Sequence, residues 1–91
     1  MRDIAIHKLF SKELKNAKLN PTNSAKLFMY ISLLLNNEDL PNEARDHSLQ
    51  GEYLDTRELH ISGDLLVVYR TVDNTLELLR IGTHSQLFKK F

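Results

Sequence analysis

The chain lacks cysteine entirely among its 91 residues. Without cysteine it forms no disulfide and offers no thiolate to a metal, a pattern typical of a reducing compartment. The longest apolar run, residues 27–35 with Ser32 inside it, is much shorter than the roughly 20 residues that span a bilayer. No basic and apolar leader opens the chain. We therefore expect a cytoplasmic protein that does not enter a membrane.

An excess of charge of either sign is also missing. Twelve basic residues balance twelve acidic ones, for a formal net charge of +0, which argues against broad non-specific binding to nucleic acid. Within a helix predicted over residues 7–18, four lysines fall on one side: Lys8, Lys12, Lys15 and Lys18. The simpler interpretation is a solvated helix face, and the alternative is a patch that follows phosphates.

What the chain does contain is ordinary for a globular domain, with 42% hydrophobic and 26% charged residues. Its length leaves room for one domain over residues 1–91, with one modest core and one cleft. Residues 4–6 read as a short strand ahead of the first helix. The sequence therefore predicts an α+β protein that begins with a strand.

A break at Asn20-Pro21 separates the first helix from a second, which runs to about residue 36. Thr22 or Asn23 is the expected N-cap. The apolar face of this helix is predicted to contain Leu27, Phe28, Ile31, Leu34 and Leu35. Residues 37–51 are mostly polar and read as a loop that carries His47.

The last third of the chain reads as strands joined by tight turns at Ser62-Gly63 and Asp73-Asn74. This register pairs Leu59 with Leu66. It predicts one aliphatic sheet face under the second helix, formed by Leu59, Ile61, Leu66, Val68, Leu79 and Ile81. The opposite, mixed face then holds Glu58, His60, Leu65, Val67, Tyr69, Leu78 and Arg80.

Three of the four histidines, His47, His60 and His84, lie within residues 45–88 together with Asp64 and Arg80. Histidine exchanges protons near neutral pH, so this set suggests proton-transfer chemistry around an anion. On the predicted sheet, side chains of His60 and Arg80 are two strands apart, roughly 10 Å, and can bracket a phosphate.

Simpler roles compete with this hypothesis. His60 can be a half-buried strand residue, Arg80 can pair with Glu58, and Asp64 can cap a turn. A metal site is a further alternative, although no HxH or HExxH spacing supports it. Its ligands would be His47, His60, Asp64 and His84.

The order of these motifs resembles the YafQ branch of the RelE/ParE toxins of bacterial toxin–antitoxin modules. Three segments carry the resemblance, and their order and separation make it specific: Asp46-His47-x-Leu49-x-Gly51, Arg57-x-x-His60-Ile61-x-x-Asp64 followed by Tyr69, and Arg80-x-Gly82-Thr83-His84-Ser85-x-Leu87-Phe88. The segment from Phe10 to Lys15 is similar to the first helix of the family. The resemblance implies a compact RelE-like fold with an N-terminal strand and two helices packed on an antiparallel sheet.

The function that the resemblance implies is that of a toxin and endoribonuclease, an mRNA interferase that enters the ribosomal A site, cuts messenger RNA there and inhibits translation. The ribose 2′-hydroxyl attacks its own phosphate, and neither a metal nor another cofactor is needed. The implied partners are a cognate antitoxin, the ribosome and mRNA, with operator DNA bound only through the antitoxin complex.

Carried over by position, the resemblance implies specific roles for six side chains. His84 is the general acid, Arg80 stabilises the phosphorane charge, and Phe88 packs on a base. Asp64 and His60 share the base side, and His47 completes the polar wall. The ribosomal RNA contacts would be the lysine side of the first helix, with Arg57, Lys89 and Lys90.

Two departures from the family pattern are evident. Leu65 stands at a substrate-facing position where many members have tryptophan, which removes one stacking surface. The neutral overall charge is low for a protein that docks on ribosomal RNA. Two other classes therefore stay open: a non-catalytic module of the same fold, either gyrase-directed or a degenerate toxin acting through antitoxin binding and operator repression, and a metal-dependent hydrolase.

Overall fold

A computed structural model of the protein describes residues 1–53 and 55–88. The chain begins with strand β1 (Asp3–Ile6), helix α1 (Lys8–Ala17) and helix α2 (Pro21–Leu35). A 3-10 turn at Asn42–Ala44, strand β2 (His47–Ser48) and a second 3-10 turn at Gly51–Tyr53 follow. Strands β3 (Arg57–Ser62), β4 (Leu65–Val72) and β5 (Thr75–Thr83) then lead into the short helix α3 (His84–Phe88).

The five strands form one sheet in the order β1-β5-β4-β3-β2. All neighbouring strands are antiparallel except β1, which pairs parallel with β5. The predicted α+β class and the N-terminal strand are confirmed, and the parallel edge strand adds to the predicted antiparallel sheet. The loop predicted over residues 37–51 was wrong at His47, which lies in β2.

Helix α2 begins as its sequence requires but at an earlier residue than predicted. Asn20 is the N-cap, and its Oδ1 accepts a hydrogen bond from the backbone N–H of Asn23 over 2.7 Å. Pro21 occupies the first turn, where its fixed φ suits a helix and its missing N–H costs nothing. The expected caps at Thr22 or Asn23 were therefore wrong.

Helices α1 and α2 cover one face of the sheet, which we call the helix face. The core between them contains Phe10, Leu27, Tyr30, Leu34, Ala44, Leu59, Ile61, Val67, Tyr69, Leu76, Leu78 and Ile81. Ile31 and Leu35 pack against this core as predicted, whereas Phe28 is 70% exposed and was wrongly included. No helix in the described residues is long and apolar enough to cross a membrane.

The sheet register differs from the prediction at two irregularities. The first turn lies at Gly63-Asp64, because Ser62 pairs with Leu65 and the register shifts at Ile61. The second turn at Asp73-Asn74 is confirmed, with both residues at positive φ as a tight hairpin turn requires.

A second register shift lies between Val68 and Tyr69 of β4, where Leu79 of β5 has no partner. The extra residue reverses the alternation within β5, so that Leu78 and Ile81 both face the helices while Leu79 does not. In β4, the first turn lies one residue later than predicted, which places Val67 and Tyr69 on the helix face and Leu66 and Val68 on the other. The predicted aliphatic face was right for Leu59, Ile61 and Ile81, and wrong for Leu66, Val68 and Leu79.

Candidate active site

A row of side chains crosses four strands on the face opposite α1 and α2, which we call the site face. His47 pairs with Glu58, Glu58 with Val68, and Val68 with Arg80. Directly paired residues point to the same face of a sheet. The buried Val68 forms the floor between Glu58 and Arg80, whose strands are two spacings, about 10 Å, apart. The predicted placement of His60 and Arg80 on one face is confirmed, although the register behind it was wrong.

At one end of this row, a carboxylate lies between two imidazoles. His60 Nε2 is 3.1 Å from Glu58 Oε1, and His47 Nε2 is 3.8 Å from Glu58 Oε2. Glu58 is only 4% exposed, and a carboxylate so withdrawn from water needs charged or hydrogen-bonding partners. The two ring centroids are 6.2 Å apart. This group, which we call the His-Glu-His cluster, can hold and transfer protons.

The orientation of His47 is set by a backbone carbonyl. His47 Nδ1 lies 2.6 Å from the carbonyl oxygen of Arg45. A carbonyl only accepts hydrogen bonds, so Nδ1 carries the hydrogen and Nε2 is directed to Glu58. Arg45 adopts a left-handed conformation with φ 48°, which turns the chain into β2 at this point.

At the other end of the row, Arg80 is held by two partners. Its Nε and Nη2 donate to the two carboxylate oxygens of Glu13 at 2.9 and 2.7 Å, and its Nη1 donates to the hydroxyl of Tyr53 at 2.9 Å. The hydrogen bond with Glu13 raises the pKa of Arg80 above its ordinary value, against the opposite effect of burial. The alternative pairing of Arg80 with Glu58 was wrong.

Aromatic rings extend the site from Arg80 toward α3. The ring of Phe88 meets Tyr53 edge to face at 5.2 Å and His84 at 4.8 Å. Tyr53 donates its hydroxyl hydrogen to the carbonyl oxygen of Leu87 over 3.1 Å. Tyr53 therefore contacts Arg80 on one side and the end of α3 on the other.

Asp64 contacts α3 directly. It lies in the turn between β3 and β4, and its Oδ1 accepts a hydrogen bond from the backbone N–H of His84 over 3.2 Å. Both side chains are exposed. The structure therefore places Asp64 against the first residue of α3, whereas His47 and His60 contact Glu58.

Leu65 does not lie on the site face. It pairs with Thr83 at the start of β4 and packs against the core under the helices. Its predicted position on the mixed face beside His60 was wrong, because the first turn lies one residue later than predicted and this turns β4 over. A contact between Leu65 and substrate stays a prediction, and this packing counts against it.

The lysines predicted to contact ribosomal RNA from the first helix are exposed. Lys8, Lys12 and Lys15 are exposed on α1, and Lys18 is its exposed C-cap. Lys89 and Lys90 lie outside the described residues. Arg57 is bound to Asp46, with its Nε and Nη2 at 3.1 and 3.2 Å from the two carboxylate oxygens.

Sequence reasoning gave no catalytic role to three members of this site. Glu58 was placed correctly on one face with His60, since the two lie two residues apart and strand alternation puts both on that face. Tyr53 lies next to the strand region but follows no recognisable motif. Glu13 is separated from Arg80 by 67 residues, so only the tertiary structure brings these two together.

The side chains predicted as metal ligands form two groups rather than one. His47 and His60 contact Glu58, whereas Asp64 contacts the backbone of His84. Among the side chains that the structure describes, no three of His, Cys, Asp or Glu are arranged to hold a metal ion.

The sequence of the chain is similar to a family of bacterial toxins over nearly its whole length. The family described as "Bacterial toxin of type II toxin-antitoxin system, YafQ" matches residues 2–89. The mRNA interferase toxin YafQ of Escherichia coli (strain K12) is 36% identical over 88 residues, which is 96% of each chain.

Solved structures agree over the same length. A copper-bound mutant toxin from Helicobacter pylori superposes with a TM-score of 0.90 at 36% identity, covering 97% of this chain and 100% of that one. The E. coli DinJ-YafQ complex gives a TM-score of 0.84 at 36% identity, covering 97% and 99%. These similarities extend over every element that supplies a site residue.

Proposed function

The chain belongs to the YafQ family of bacterial type II toxin–antitoxin toxins, and we propose that it cuts messenger RNA on the ribosome by general acid–base catalysis. As a member at 36% identity over nearly its whole length, it is the toxin of its module and an mRNA interferase. The observation that carries the catalytic proposal is the row in which Glu58 and Arg80 face each other across Val68.

In the proposed reaction, the ribose 2′-oxygen attacks the adjacent phosphorus while the bond from phosphorus to the 5′-oxygen breaks. A base takes the proton of the 2′-hydroxyl, and an acid protonates the leaving 5′-oxygen. The products are a 2′,3′-cyclic phosphate and a 5′-hydroxyl end. Negative charge grows on the phosphoryl oxygens between these two steps and needs a fixed cation.

His60 is the proposed base. Its Nε2 faces the buried carboxylate of Glu58 at 3.1 Å, so Nδ1 is the nitrogen left to accept the 2′-hydroxyl proton. A carboxylate behind an imidazole selects the tautomer and stabilises the imidazolium that forms, as in the Ser-His-Asp arrangement of hydrolases. His47, on the other side of Glu58, completes the polar wall.

Arg80 is the proposed stabiliser of the phosphorane charge and His84 the proposed acid. The guanidinium is partly shielded, with its side chain 22% exposed, which strengthens its attraction to an oxyanion. Asp64 contacts the backbone of His84 and is therefore assigned to the acid side, where it positions α3. Phe88 offers an aromatic edge and face on which a base can stack.

The partners follow from the family. The related DinJ-YafQ complex supports a cognate antitoxin as the partner of this chain, with operator DNA bound through the antitoxin complex. The exposed lysines of α1, at positions 8, 12 and 15, are the proposed contacts with ribosomal RNA. We further propose the cytoplasm as the place of action, since ribosomes and messenger RNA are there.

The test is cleavage of a defined message programmed into purified ribosomes, with the 5′ ends of the products mapped and their chemistry determined. Cuts in the A-site codon with 5′-hydroxyl ends, at a rate unchanged after the toxin alone has been treated with EDTA and dialysed, support the proposal. Loss of cleavage by the treated toxin, restored when a transition metal is added back to it, would favour the metal-dependent alternative instead. No cleavage by a folded protein that still binds its antitoxin would favour the non-catalytic module.

A further inference from the structure

We propose that Glu13 is a positioning residue for catalysis, which orients the guanidinium of Arg80 toward the scissile phosphate. This inference rests on the proposed function, because it assigns Arg80 to the charge that develops in the cleavage step. Glu13 lies on α1, far from Arg80 in sequence, and contacts it through both carboxylate oxygens at 2.9 and 2.7 Å.

The bidentate contact determines which hydrogens remain for substrate. Arginine has five N–H hydrogens in a rigid plane. Glu13 takes one on Nε and one on Nη2, and the hydroxyl of Tyr53 takes one on Nη1. One hydrogen on Nη1 and one on Nη2 are left, which matches the two-point contact that guanidinium makes with phosphate oxygens.

Glu13 is itself fixed by the sheet. β1 pairs with β5 only from Thr75 to Leu78, and within the described residues no further strand lies on that side of β5. The backbone N–H of Ile81 there donates to Glu13 Oε1 over 3.3 Å. The carboxylate therefore accepts the hydrogen of a backbone N–H at the strand edge, and this contact holds it in place while it binds Arg80.

Burial makes this pair stiffer than a surface ion pair. The Glu13 and Arg80 side chains are 17% and 22% exposed, and Phe10, one turn before Glu13 on the same helix, is buried in the core. A flexible surface pair would lose its geometry to solvent. Because α1 is packed on the sheet, Glu13 is held in place and in turn holds the guanidinium of Arg80 in one orientation.

The experiment compares single-turnover cleavage of ribosome-bound message by wild type, Glu13→Gln and Glu77→Gln over a range of toxin concentrations. Glu77 is a matched control, because it holds Arg70 through a similar two-oxygen contact, at 2.8 and 3.3 Å, and contacts no site residue. Misplacing a catalytic group by about 1 Å costs up to about 10²-fold. We expect Glu13→Gln to lower the maximal rate by about 10- to 100-fold.

The half-saturating toxin concentration should stay within about twofold, because Glu13 does not contact substrate. Glu77→Gln should cleave at the wild-type rate. A wild-type rate in Glu13→Gln overturns the proposal, and so does a rate above wild type, which would show that Glu13 masks Arg80. If the wild type itself fails to cleave, the proposed function fails instead.

A double-mutant cycle separates positioning from a general structural role. In an Arg80→Ala background, Glu13→Gln should cause no further loss of rate, since there is no guanidinium left to orient. A further loss of tenfold or more in that background would overturn the proposal. If Glu13→Gln does not fold, Glu13→Asp keeps the carboxylate but shortens its reach to Arg80. It should lower the maximal rate in the wild-type background and leave the Arg80→Ala rate unchanged.

Discussion

Tyr69 donates its hydroxyl hydrogen to Asp46 Oδ1 over 2.5 Å, which links the helix face of β4 to the residue just before His47. Arg57 binds the same carboxylate. β2 contains only two residues and pairs with a single strand. The Tyr69, Asp46 and Arg57 contacts therefore hold β2 against β3, and with it His47 opposite Glu58.

This contact predicts a loss of stability at alkaline pH. Burial, with the hydrogen bond and charge of Asp46, raises the pKa of Tyr69 above its ordinary value. A folded-state pKa above the unfolded one means that the folded form keeps its proton more firmly. The contribution is therefore present below about pH 10 and is lost as pH rises from there toward the folded-state pKa.

The measurement is the free energy of unfolding by urea for wild type and Tyr69→Phe at several pH values. At neutral pH the variant should be less stable by about 2 kcal/mol, since a buried hydrogen bond to a charged group is lost. The difference between the two proteins should shrink as pH rises above about 10. A constant difference across that range would contradict the prediction.

Glu58→Gln should abolish most of the cleavage without preventing folding. Glutamine keeps the shape but cannot stabilise an imidazolium on His60, and general acid–base loss typically costs about 10²-fold or more. The readout is the single-turnover rate on ribosome-bound message. Glu43→Gln is a suitable control, because Glu43 is exposed and forms an ion pair with Lys26, at 3.7 Å. Equal rates for the wild type and Glu58→Gln would refute the role given to the His-Glu-His cluster.

His84→Ala should lower the maximal cleavage rate by about 10²-fold or more and leave ribosome binding nearly unchanged, as expected for a general acid. His7→Ala provides the histidine control. His7 lies at the start of α1, and its Nε2 is 3.0 Å from Oε1 of Glu77, which has no proposed role in cleavage. Weaker binding with an unchanged rate at saturation would make His84 a contact residue rather than the acid.

Leu65→Trp should destabilise the fold. Sequence reasoning placed Leu65 at the rim of the cleft, where tryptophan would add a stacking surface, but the side chain packs against the core under the helices. Adding volume to a packed core costs about 1–3 kcal/mol, which lowers the Tm of a domain of this size by roughly 4–8 °C per kcal/mol.

The control is Phe28→Trp, which puts the same new side chain at a position that is 70% exposed and should leave the Tm unchanged. Cleavage-site mapping is done on the same proteins. A Leu65→Trp protein with a wild-type Tm and a sharper nucleotide preference would restore the stacking role predicted from the sequence.

Much of the site could be predicted from residue types and strand alternation. Alternation with a period of two puts Glu58 and His60 on one face whatever their strand pairs with. The Asp73-Asn74 turn was recognisable because both residue types tolerate positive φ. The register was not predictable in the same way, because an extra residue in one strand leaves no mark on composition or periodicity.

The sequence by itself determined the residue types of the site, the order of the first strand, the two longer helices and the three C-terminal strands, and the hairpin at Asp73-Asn74. Only the tertiary structure decided that β4 turns Val67 toward the helices, that Glu13 grips Arg80, and that Tyr69 holds Asp46. Strand periodicity and turn preferences depend on a few neighbouring residues, so they can be recognised directly in the sequence. Register shifts and contacts between distant residues depend on the packing of the whole chain, where the burial of one face selects among alternatives that are locally equivalent.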